Sequence, residues 1–124
     1  MFGMMKKMVK EQLKSLVVLN AAILDAGEEI QAIQNEINTY GNDEKYASAL
    51  NDLKQKIIYY RYQKIKNCVN LYDKIEELEN EQEKRLLKYR YLRGWRWEDI
   101  ADKMGYSIRQ VFNIHKKALK MIEA

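Results

Sequence analysis

The chain has 124 residues, with 22 Lys+Arg against 18 Asp+Glu for a formal charge of +4, and it contains one cysteine, one histidine and no proline. A lone cysteine excludes a disulfide framework, and with no Cys/His cluster neither a structural metal nor a cofactor is expected, which points to a reduced, cytoplasmic setting. Leu, Ile, Val and Phe supply 31 residues, too many for intrinsic disorder, and Ala, Glu, Lys, Leu and Arg supply 55, near the composition of long helices that the missing proline leaves uninterrupted.

An all-α fold is therefore expected. The most apolar run, Leu16 to Leu24, follows Lys6, Lys7, Lys10 and Lys14. Asn20 interrupts it, and no small-residue cleavage site follows. The run is also far shorter than the roughly 20 residues that span a bilayer, so neither a signal peptide nor a membrane span is expected.

From about 4 to 39 the apolar residues repeat every seven positions. Val9, Leu16, Ile23, Ile30 and Ile37 form one row, and Leu19, Ala26, Ile33 and Tyr40 form the second. A seven-residue period keeps both rows on one seam, which needs a partner helix. Gly27 interrupts the pattern, at a cost of about 1 kcal/mol relative to alanine.

Gly41 can end this helix in a left-handed conformation, and Asn42 or Asp43 can cap the next one. A second series, Tyr46, Leu50, Leu53, Ile57, Tyr60, Ile65, Cys68, Leu71, Ile75 and Leu78, predicts a helix over about 43–81. The short turn allows an antiparallel hairpin, and pairing with the equivalent helix of another subunit fits the pattern equally. The basic and aromatic stretch Ile58 to Lys64 resembles single-strand nucleic-acid binders in composition, but its tyrosines spread around the helix and read as a packed face. Cys68 falls on the apolar series and reads as a buried hydrophobe. The acidic stretch Glu76 to Glu81 reads as a solvated helical face.

Charge separates the last third from the rest. Residues 1–82 carry a net −2 and residues 83–124 a net +6, an asymmetry that suits one end to a polyanion. This gives two expected parts: 1–81, long amphipathic helices for a hairpin or coiled coil, and 82–124, a basic helical domain. Within the second, a helix through Leu86, Leu87, Tyr89 and Leu92 stops at Gly94. Trp97 to Met104 is a short helix with acids in its first turn, Gly105 breaks it, and Ser107 caps a last helix from Ile108 to about Glu123.

These spacings suit a helix-turn-helix. Ala101 permits close crossing, Gly105 makes the tight turn, and Ile100, Met104, Val111 and Ile114 point inward, with Trp95 and Trp97 covering the junction. The exposed face of the last helix presents Ser107, Arg109, Gln110, Asn113, Lys116 and Lys117, residue types that contact base edges and phosphates in a major groove. His115 reads as a phosphate contact or surface residue, since no second ligand accompanies it for a metal.

The stretch Tyr91-Leu92-Arg93-Gly94-Trp95-Arg96-Trp97-Glu98-Asp99-Ile100-Ala101-Asp102-Lys103-Met104-Gly105-Tyr106-Ser107-Ile108-Arg109-Gln110-Val111, continued by Ile114 to Ile122, resembles the helix-turn-helix of bacterial sigma factor region four. It is similar, more closely, to small phage-encoded transcription regulators of the ArpU/RinA kind. The resemblance covers about 40 residues; the first 80 share only their helical character. Arg96 stands where the pattern usually has a Ser or Thr cap, which loses a bond worth about 1 kcal/mol and adds a phosphate contact. Ile108 occupies a common base-reading position, which makes Arg109, Phe112 and Asn113 the expected readers.

The resemblance implies a sequence-specific, double-stranded DNA-binding transcription regulator of a phage or prophage in a bacterial host, with RNA polymerase as a possible contact. The heptad rows add an expected homo-oligomer, a dimer first. Two alternatives stay open: a small terminase-like packaging or assembly protein that grips DNA through the same motif, and a helical adaptor that binds protein alone. An enzyme is not expected, because no paired carboxylates, Cys/His pair or phosphate-cradling glycine loop appears.

Overall fold

A computed structural model describes residues 2–123, with side chains from Val9 to Glu123, so Lys6 and Lys7, which precede the apolar run, lie outside the described side chains. The fold is all-α, with no strand among the described residues. The helices are α1 (Phe2–Tyr40), α2 (Glu44–Glu76), α3 (Glu81–Leu87), which continues into a π-helical turn over Lys88–Leu92, α4 (Trp97–Met104) and α5 (Ile108–Glu123).

Helices α1 and α2 form a hairpin within one chain, which resolves the two pairings that the heptads allowed. Its turn is built from local chemistry. Gly41 takes φ 92° while its N–H donates to the Ile37 carbonyl at 2.8 Å, and the Asp43 carboxylate caps α2 by accepting from the Lys45 N–H at 3.0 Å.

The chain forms two compact units, Met1–Val17 with Asn67–Ala124, and Val18–Lys66. The first holds the main core. Val9, Leu13 and Leu16 of α1 cluster with Cys68, Leu71 and Ile75 of α2, with Leu86 and Leu87 of α3, and with Ile100, Ala101, Val111, Ala118 and Ile122 of the last two helices. This grouping cuts across the expected 1–81 and 82–124 parts. The reason is size: about 40 residues bury too little surface to stand alone without a metal, disulfides or a partner, and the ends of α1 and α2 supply the missing apolar faces.

In the second unit, the α1 rows point inward as far as Ile37, with Ala26 buried, but Tyr40 at the turn is 78% exposed. Tyr46, Leu50, Leu53, Ile57 and Tyr60 of α2 also face inward, and the inward register then passes to Lys64. Ile65, expected inside, is 70% exposed. Five residues turn a helix about 140° past a full turn, so Ile65 cannot share a face with Tyr60.

The acidic stretch is also corrected. α2 ends at Glu76, Leu78 is buried in the connection, and the Asn80 side chain caps α3 by accepting from the Glu83 N–H at 3.0 Å. An Asn followed three residues later by Glu, ahead of an apolar pair, is a helix-start signature legible in the sequence.

Candidate nucleic-acid interface

The interface is built on α4, α5 and the turn between them. The π-helical turn closes with the Arg93 N–H on the Lys88 carbonyl at 3.0 Å, after which Gly94 at φ 73° turns the chain. That wider turn brings Tyr89 flat against Trp95, with ring centres 4.5 Å apart, and Arg93 over both rings. Arg90 donates to the Trp95 carbonyl at 3.0 Å and lies 4.4 Å over the ring of Trp97, the first residue of α4. Trp95 and Trp97 are thus fixed against the core, as covers for the helix junction.

Arg96 precedes α4 in an extended conformation with no side-chain capping bond, and its guanidinium lies 3.6 Å from the Asp99 carboxylate. Helix α4 ends at Gly105 with φ 72° and ψ 32°, where the N–H groups of Gly105 and Tyr106 both reach the Ala101 carbonyl. Ala101 is buried at the crossing. Ser107 and Gln110 then form a reciprocal cap on α5. The Ser107 hydroxyl accepts from the Gln110 N–H at 3.2 Å, and the Ser107 N–H donates to the Gln110 side-chain oxygen at 2.9 Å.

Val111, Ala118 and Ile122 of α5 are buried, with Ile114 and Leu119 packed at the edge of the core. Arg109, Asn113 and Lys116 are exposed and recur at spacings of four and three, on one outward row. Lys120 continues that row four residues on. Sequence reasoning missed it, although its spacing from Lys116 was the available signal. Lys117 is exposed on one flank of the row and Phe112 is half-exposed on the other, edge-to-face with Trp97 at 5.2 Å. Arg96 stands apart at the start of α4. Ser107 and Gln110 have polar groups already committed to the cap; reading adenine with both ends of the Gln110 amide would require breaking it.

His115 is not an open surface residue. It is half-buried, with its Nε2 2.7 Å from the Tyr91 hydroxyl and its ring 4.7 Å from Trp97. Burial, followed by the Arg90 charge, holds the imidazole below its usual pKa, and burial raises the Tyr91 hydroxyl above its own. A neutral imidazole and a protonated phenol suit a bond in which the hydroxyl donates to Nε2, with the ring proton on Nδ1.

Among the described residues no group of three or more His, Cys, Asp or Glu is placed to hold a metal, and no helix is long and apolar enough to cross a membrane. Comparison with protein-family models, curated proteins and solved structures finds no match to this chain.

Proposed function

We propose that this chain is a sequence-specific, double-stranded DNA-binding regulator of transcription, of the phage-encoded kind that its motif resembles. It acts as a binding protein and not as an enzyme, in a bacterial cytoplasm. The observation that carries the reading is the outward row Arg109, Asn113, Lys116 and Lys120 on α5, set behind a Gly105 turn and held by a helix that crosses at Ala101. A cationic, amide-bearing helix face on a rigid two-helix support has the chemistry that major-groove recognition needs. Arg109 suits a bidentate bond to guanine and Asn113 suits adenine, while Lys116, Lys117, Lys120 and Arg96 suit phosphates.

Four cations on phosphates imply that log K falls with log salt at a slope of about −3.6. Fluorescence anisotropy on duplexes selected from a random pool measures it. Arg109→Ala should weaken the selected site by about 1–3 kcal/mol and relax specificity, whereas Lys120→Ala should weaken all sequences and reduce the slope by about 1. No duplex binding at low salt would sink the proposal.

Self-association is part of the same reading, on a different surface from the one the heptads suggested. Within the second unit, α2 exposes Ile58, Tyr62 and Ile65 at spacings of four and three. That is a coiled-coil seam, and the α2 helix of a second copy has the matching period.

A further inference from the structure

Two apolar side chains stand beside the cationic row of α5. Ile108 is 40% exposed and Phe112 is 46% exposed, and their spacing of four places them on one flank, where Phe112 neighbours Arg109 three residues before it and Lys116 four residues after it. Phe112 is not loose. Trp97 meets its ring edge-to-face at 77°, and Trp97 is itself held by Arg90 and His115, so the rear of the ring is fixed while the remainder opens outward.

We infer that Ile108 and Phe112 are a thymine-reading edge, so that the preferred duplex presents two thymine methyl groups against this flank of α5. The inference rests on the DNA-binding reading above. In a major groove, the thymine methyl is the apolar feature among the donors and acceptors of the base edges, and apolar side chains are its natural contacts. Ile108 and Phe112 are separated by about 6 Å along the helix axis, or roughly two base-pair steps at ~3.4 Å each. Two side chains are also a small patch for a protein partner, which needs about 800 Å² per side.

Replacing thymine by uracil removes only the methyl group and keeps the base-pairing edge. The wild-type chain should bind a selected duplex about fourfold more weakly for each of two such replacements, and about fifteenfold more weakly for both, from the transfer cost of one apolar carbon each. Ile108→Ala and Phe112→Ala should each lower affinity for the thymine duplex and abolish discrimination at one position. Lys120→Ala should weaken thymine and uracil duplexes equally. Equal wild-type affinity for both duplexes overturns the inference and leaves DNA binding intact, as does discrimination that survives in the Ile108→Ala/Phe112→Ala double variant. Failure to bind any duplex is a separate result and removes the DNA reading itself. The decisive comparison changes only the nucleic acid, so it does not depend on the folding of a variant.

Discussion

One substitution type should act with opposite sign at two glycines. Gly105 sits at φ 72° with nothing within 4 Å of where a Cβ would stand. Gly105→Ala therefore meets no steric obstacle, and its cost is conformational. A left-handed residue other than glycine costs about 1–2 kcal/mol, because Cβ crowds the following carbonyl oxygen. Gly27 also has nothing within 4 Å of an added Cβ, but it lies inside α1. There, alanine is favoured over glycine by about 1 kcal/mol because less backbone entropy is lost on folding. Both tryptophans, Trp95 and Trp97, belong to the unit that contains Gly105, so fluorescence follows that unit and far-UV circular dichroism follows the whole helical content. Gly105→Ala should lower the fluorescence-detected midpoint by roughly 4–16 °C, the shift that 1–2 kcal/mol produces in a unit of 60–100 residues. Gly105→Asn should cost less, since asparagine tolerates the left-handed region. Gly27→Ala should raise the dichroism-detected midpoint. A neutral or stabilising Gly105→Ala would refute the left-handed turn between α4 and α5, and a destabilising Gly27→Ala would refute the open, regular helix at that position.

Asn80→Ala removes the cap on α3 and should cost about 1 kcal/mol in urea denaturation with an unchanged m value, while Asn80→Gly should cost only a few tenths. His115 has its pKa lowered in the fold, so its contribution is complete above the unfolded value near 6.5 and is lost as pH falls from there through the folded value. The fluorescence-detected midpoint should therefore drop as pH falls below about 6.5, and His115→Gln should flatten that part of the profile; an identical profile in the variant would remove the half-buried imidazole as its source. Ile65→Glu should abolish self-association in sedimentation without loss of helicity, and a sedimentation profile unchanged by the substitution would exclude the α2 seam.

Much of the motif was legible because its signals are local. Gly94 and Gly105 both take the left-handed conformation expected of a glycine that closes a helical segment, and Ser107 caps α5 through its own hydroxyl. The Arg109, Asn113 and Lys116 row follows directly from 3.6 residues per turn. Other features were not legible in that way. The π-helical turn adds one residue to a helical register without any proline or glycine to announce it, and it is what carries Tyr89, Arg90 and Tyr91 toward Trp95, Trp97 and His115. His115 consequently looked like one more polar residue on a basic helix.

The helical class, the positions of the glycine breaks and the polar face of α5 follow from local residue order, because dihedral preference and helical period act over a few residues. The pairing of α1 with α2, the joining of the ends of both helices to the core of the C-terminal helices, the outward face of Ile65 and the half-burial of His115 emerge in the folded chain. Those outcomes depend on which apolar faces meet across long chain separations, and a periodic pattern states that a face must be buried without naming the face that buries it.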